Sequence, residues 1–112
     1  MIRFRSVLLL MLVLAGSFAF AADDQAAVAK VVAEHLKVDP AALDLDAPLS
    51  EIGNGADALD VVEILMAIDE KLHVDISDKH IEAVVGPNET DDLPAKVTVR
   101  KLAKMLALAR QK

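Results

Sequence analysis

The residues best suited to chemistry in this sequence are few and scattered. Ser50 and Ser77 offer hydroxyls, and His35, His73 and His80 offer imidazoles. Asp39, Asp44, Asp46 and Glu51 form an acidic cluster, and there is no cysteine. Nucleophilic catalysis needs a hydroxyl beside a base that a third group orients. Neither serine stands in a motif that builds such a set, so each reads as a turn or cap residue. The histidines have no metal-ligand spacing with one another. His35 is expected to border the core, and His73 and His80 to face solvent. The acidic cluster lacks the spaced ligands and central glycine of a calcium loop and reads as a solvated face. No glycine-rich run could cradle a phosphate. The chain is therefore predicted not to be an enzyme, with no catalytic residue and no metal site.

The elements that would position any site begin after a distinct N-terminal segment. Arg3 and Arg5 form a small basic region, Val7 to Gly16 is an apolar run, and Ala19-Phe20-Ala21 has the small residues of a cleavage site. These are the three parts of a secretory signal peptide. The apolar stretch, about Ser6 to Ala22, is marginal for a span of ~20 residues. The expected organisation is a signal peptide over 1–21 and one domain over 22–112, periplasmic or secreted. Retention of the segment as an anchor is the alternative, and in both cases the domain faces outward.

Composition narrows the function further. Cleavage after Ala21 leaves 91 residues, enough for one small core. Loss of Arg3 and Arg5 takes the formal net charge from −6 to −8. An acidic domain of this size repels nucleic acid and anionic lipid, so its partners carry basic patches. Phe4, Phe18 and Phe20 are the only aromatic residues, and all precede the cleavage point. The core must then be aliphatic, which suits packed helices better than a sheet. Without cysteine, an exported domain depends on packing alone.

Periodicity places the helices. Val28, Val31, Val32, His35 and Leu36 mark a first helix over Asp23 to Lys37, which Asp39-Pro40 ends. Ala41 to Asn54 reads as a long ordered connection pegged by Leu43, Leu45, Leu49 and Ile52. Asp57 then caps a helix of about Ala58 to Leu72. Val61, Ile64, Leu65, Ile68 and Leu72 share one face of it. Leu59, Val62 and Met66 form a second apolar stripe, and the pattern leaves open whether this face is also buried. A short third helix follows at about Lys79 to Val85, capped by Ser77 or Asp78. Glu89 to Lys96, acidic and punctuated by Pro94, is expected to be a mobile loop. Thr98 caps a last helix from Val99 to about Arg110. The predicted core includes Val32, Leu36, Leu49, Ile64, Leu65, Ile68, Leu72, Val84, Leu102 and Leu106.

The stretch from Gly55 to Asp78 resembles the second helix of acyl carrier proteins and its surroundings. Asp57, Leu59, Asp60, Val62, Glu63, Met66, Glu70 and Asp75-Ile76-Ser77-Asp78 fall at family-like places. The resemblance runs from about Val28 to Val85 and resumes at Thr98. It implies an all-α, acyl-carrier-protein-like four-helix bundle with a long first loop and a short third helix. In that family an Asp-Ser-Leu triplet opens the second helix, and its serine carries a phosphopantetheine arm. Here the triplet reads Asp57-Ala58-Leu59. A methyl group has no oxygen to phosphorylate, so the resemblance implies no cofactor: phosphopantetheine is expected to be absent. Lys79 and His80 also depart from the family's acidic third helix, and the Gly86-to-Lys96 connection is longer than usual.

The expected function is a non-catalytic interaction module. By resemblance, Asp57, Leu59, Asp60, Val62, Glu63, Met66 and Glu70 are its partner-binding residues. They would dock onto a basic, partly apolar groove of an envelope protein. The domain is expected to be monomeric, outside the membrane and indifferent to nucleic acid. An alternative is a non-covalent carrier of a fatty acyl chain or similar lipid, taken between the helices. Further alternatives are an acyl carrier of fatty-acid or polyketide type by family whose covalent function is lost, one that uses the arm elsewhere, or a remnant without present function.

Overall fold

A computed structural model describes residues 24–111. The predicted signal peptide and its cleavage point lie outside them. Residues 24–36 are helical and form α1. Val28 and Val32 on its inner face are fully buried. Lys37 turns into the left-handed region at φ 59°, and the Val38 amide donates to the Ala33 carbonyl at 3.0 Å, which ends the helix.

The connection that follows is irregular but fastened. It contains two 3-10 turns, Pro40–Ala42 and Leu49–Glu51. Asp39 caps the first by accepting from the Ala41 amide. Of the four predicted pegs, Leu49 and Ile52 are buried, and Leu43 and Leu45 pack half-buried against the core. The Leu49 amide donates to the Val97 carbonyl at 2.9 Å, and the Arg100 amide to Leu45 at 3.1 Å. Asp46 accepts from Arg100 Nε at 2.7 Å. The long loop is thereby tied to the start of the last helix, 54 residues away in sequence.

α2 spans Ala58–Leu72, α3 Asp78–Val85, α4 Leu93–Lys96 and α5 Val99–Gln111. α3 packs on α5, and α4 packs against α2 and the Leu49–Glu51 turn. The four longer helices form an all-α bundle, with no strand among the described residues. The Thr98 hydroxyl caps α5 by accepting from the Lys101 amide. Leu102, Met105 and Leu106 of α5 are fully buried. No described helix is long and apolar enough to cross a membrane.

Three features depart from expectation. The predicted loop over Glu89 to Lys96 ends in the single turn α4, with Pro94 buried. Proline is compatible with a helix start, where its missing N–H would have had no partner in any case. Lys96 reaches back to Glu89 at 2.8 Å and to Asp91 at 3.5 Å, which draws the acidic segment onto the fold. In the core, Val32, Leu49, Ile64, Ile68, Leu102 and Leu106 are fully buried as expected. Leu36, Leu65, Leu72 and Val84 are half-buried and pack against it; Leu36 and Leu72 are the last residues of their helices, where the bundle covers less of the side chain. His80, expected in solvent, is half-buried, and its Nδ1 accepts from the Ser77 amide at 2.9 Å. The imidazole completes a capping box in place of the usual carboxylate.

Candidate functional site

The site is the N-terminal half of α2 together with the part of α1 that faces it. Its entry is set by Gly55, whose φ of 88° suits glycine. A Cβ there would stand 2.7 Å from the Ser50 carbonyl oxygen. The chain then enters a reciprocal capping box. The Asp60 amide donates to Asp57 Oδ1 at 2.8 Å, and the Asp57 amide donates to Asp60 Oδ2 at 2.9 Å. Two otherwise unpaired amides of the first turn are satisfied in this way. Ala58 is the first helical residue, directly beyond the cap, and it is exposed.

From this start the helix turns two different faces outward and inward. Val61, Ile64 and Ile68 point into the bundle at 1%, 0% and 0% exposure. Leu59, Val62 and Met66 are 64%, 49% and 62% exposed and are the large apolar side chains that the described surface displays. Burial of α2 on both faces, which the residue pattern alone permits, is therefore not what the fold adopts. Asp57, Glu63 and Glu70 are exposed and Asp60 is half-exposed, so the apolar stripe has a carboxylate rim. The structure brings all the predicted partner-binding residues onto this one helix and its cap.

One member of the site was not foreseen. His35 of α1 lies between two of the rim carboxylates, its Nε2 3.1 Å from Asp60 Oδ1 and 3.2 Å from Glu63 Oε2. The Asp57 amide first, and then the His35 ring, hold the Asp60 carboxyl below the usual carboxylate range. His35 sits 25 residues from Asp60. Only the packing of α1 on α2 joins them, so histidine spacing could not reveal the cluster. Nearby, Lys71 Nζ pairs with Glu34 at 2.9 Å and adds a second link between these helices.

Elsewhere the candidate nucleophiles occupy cap and turn positions. Ser77 is the N-cap of α3, and Ser50 lies within the Leu49–Glu51 turn. Shallow clefts lie away from the exposed stripe of α2, the largest of these, about 470 Å³, beside His73, Asp75 and Arg110. Two others are smaller. One, of about 220 Å³, is lined by Val38, Leu43, Glu51 and Ile52 among others. The other, of about 230 Å³, is lined by Asp78, Ile81, Glu82, Thr90 and Leu93.

A helical bundle with a long pinned loop and a capped, two-faced second helix defines a carrier-type domain. The family model for the phosphopantetheine attachment site matches residues 26–86, a stretch that includes most of α1, the loop, α2 and α3. The chain is 48% identical over 59 residues to an acyl carrier protein of Campylobacter concisus (strain 13826), covering 53% of this chain and 75% of that relative. It is 45% identical over 59 residues to that of Campylobacter curvus (strain 525.92), with the same coverage. Against the acyl carrier protein of Helicobacter acinonychis (strain Sheeba) the identity is 43% over 56 residues, 50% of this chain and 70% of the relative. The chain belongs to the acyl carrier protein family.

Proposed function

We propose that this chain is an exported acyl-carrier-protein-like module that carries no phosphopantetheine and acts by docking through α2. The observation that carries this reading is the pairing of two features on one surface. The stripe Leu59, Val62 and Met66 stands in solvent, while Ala58 at the head of the same helix has no oxygen to bear an arm. On this reading the stripe is the surface offered to partners, and the position read as the attachment site is chemically inert.

The partner this surface fits has an apolar groove edged by basic residues. The three aliphatic side chains would supply most of the binding energy on desolvation. Asp57, Asp60, Glu63 and Glu70 would set the rate and orientation of approach. Export is consistent with the inert position, because coenzyme A and the transferase that installs the arm would be expected in the cytoplasm. The signal peptide over 1–21 and the domain over 22–112 are part of this proposal, as is a monomeric domain in the periplasm or outside the cell.

The test has two parts. The full chain is incubated with coenzyme A and a broad-specificity phosphopantetheinyl transferase, and no mass gain is expected. An arm on Ser50 or Ser77 would overturn the assignment. N-terminal sequencing of extracytoplasmic protein should begin at Ala22, whereas an intact Met1 on membrane-bound protein would favour an anchor.

The non-covalent lipid carrier is the weaker reading. Its support is a core without aromatic residues in which Met105 is fully buried, able to repack around a guest. However, Asp78 and Glu82 line the cleft beside Ile81 and Leu93 and would repel a fatty carboxylate. Added fatty acid should raise the Tm of a lipid carrier and leave that of a docking module unchanged, which separates the two readings.

A further inference from the structure

We propose that His35, Asp60 and Glu63 form a binding site for one borderline divalent metal ion of the Zn²⁺ type, bridging α1 and α2. The ligand atoms His35 Nε2, Asp60 Oδ1 and Glu63 Oε2 lie within 4.8 Å of one another. Nε2 is 3.1 Å from the first oxygen and 3.2 Å from the second. Tetrahedral zinc bonds of about 2.0–2.1 Å place neighbouring ligand atoms roughly 3.3–3.4 Å apart. The two spacings from Nε2 are therefore close to the edges of a coordination tetrahedron, and the two carboxylate oxygens lie within 4.8 Å of each other, a gap that side-chain rotation can close.

Two further features support a built site. Asp60 and Glu63 are three residues apart on α2, so their side chains share a face and both reach towards α1. The second oxygen of Asp60 accepts from the Asp57 amide at 2.9 Å. Such an outer hydrogen bond orients a ligating carboxylate before the ion arrives. The side chains are 24%, 31% and 49% exposed for His35, Asp60 and Glu63, which leaves a coordination position for water or a partner's group.

The donor set selects the ion. One imidazole nitrogen with two carboxylates suits zinc and its neighbours, whereas calcium and magnesium prefer all-oxygen surroundings. The positive end of the α2 dipole opposes a cation, and two carboxylates offset it. In metal-free protein the His35 ring stands between the two carboxylates. A bound ion would cancel the charge of two rim residues of α2, but the site itself does not depend on the docking reading.

Titration calorimetry of the full chain with Zn²⁺, and separately with Ca²⁺ and Mg²⁺, tests the site. The expected result is one Zn²⁺ per chain, with Ca²⁺ and Mg²⁺ weaker. His35→Gln and the nearly isosteric Glu63→Gln should each weaken Zn²⁺ binding by about 10–100-fold or more, given the cost of disturbing even outer ligands. His73→Gln should leave it unchanged. Circular dichroism checks that each variant stays folded, and the exposed Glu63 keeps the test valid should His35→Gln unfold the domain. Absence of saturable Zn²⁺ binding, tighter binding of Ca²⁺, retention in both site variants, or equal loss in His73→Gln would overturn the proposal.

Discussion

Ile68→Ala and Met66→Ala make a paired test of which face of α2 is core, on which the functional reading depends. The two residues are two positions apart on one helix. Ile68 is fully buried and Met66 is 62% exposed. Ile→Ala removes three carbon groups, worth about 0.8 kcal/mol each in lost transfer free energy, or roughly 2.4 kcal/mol. A cavity that the neighbours cannot collapse into raises this towards about 5 kcal/mol. Met66 already stands mostly in water, so its truncation should cost no more than about 0.5 kcal/mol. Urea unfolding followed by far-ultraviolet circular dichroism gives both values, provided the slope against denaturant stays constant. For a domain of this size the Ile68 change should lower Tm by about 10 °C or more. A cost below about 0.5 kcal/mol for Ile68→Ala, or above about 2 kcal/mol for Met66→Ala, would refute the assigned helical phase.

Ala58→Ser should create a phosphopantetheine acceptor, read as the mass gain of one arm with transferase and coenzyme A. Its stability should change by no more than about 0.5 kcal/mol, because Ala58 is exposed at the helix start; failure of the folded variant to accept an arm would mean that Ala58 is not the attachment position. Reversing Asp60 and Glu63 to Lys should slow association with a basic partner and flatten its salt dependence, measured by stopped flow. Met66→Lys should weaken the same complex while Tm holds. Stability should also fall in acid. The hydrogen bond from Lys71 lowers the Glu34 carboxyl, and that from Arg100 lowers Asp46, from ordinary values of 4.5 and 3.8. Groups with depressed folded values contribute fully above their unfolded pKa and lose that contribution as pH falls through the folded one. Tm should therefore be flat near neutrality and decline below about pH 4, and Asp46→Asn should make that decline shallower.

Much of this domain was legible because its signals are local. The capped start of α2 at Asp57, the inner series Val61, Ile64 and Ile68, and the Thr98 cap all depend on residues within one or two turns. The α4 turn was missed because its acidic, proline-containing lead-in resembles a solvated loop. Its order comes from Lys96 drawing Glu89 and Asp91 together and from burial of Pro94 against the fold. His80 was misplaced because a histidine completing a capping box leaves the same sequence pattern as one in solvent.

The sequence by itself determined the helical class, since an aliphatic core without aromatic residues and helical spacing leave little else. It also determined that residue 58 bears a methyl group, and chemistry at that atom needs no fold to exclude. Only the tertiary structure decided which of the two apolar faces of α2 is open, because periodicity counts faces and cannot say which of them a neighbour covers. The same holds for His35. Its place between Asp60 and Glu63 arises from two helices packing side by side, a contact across 25 residues that no local spacing encodes.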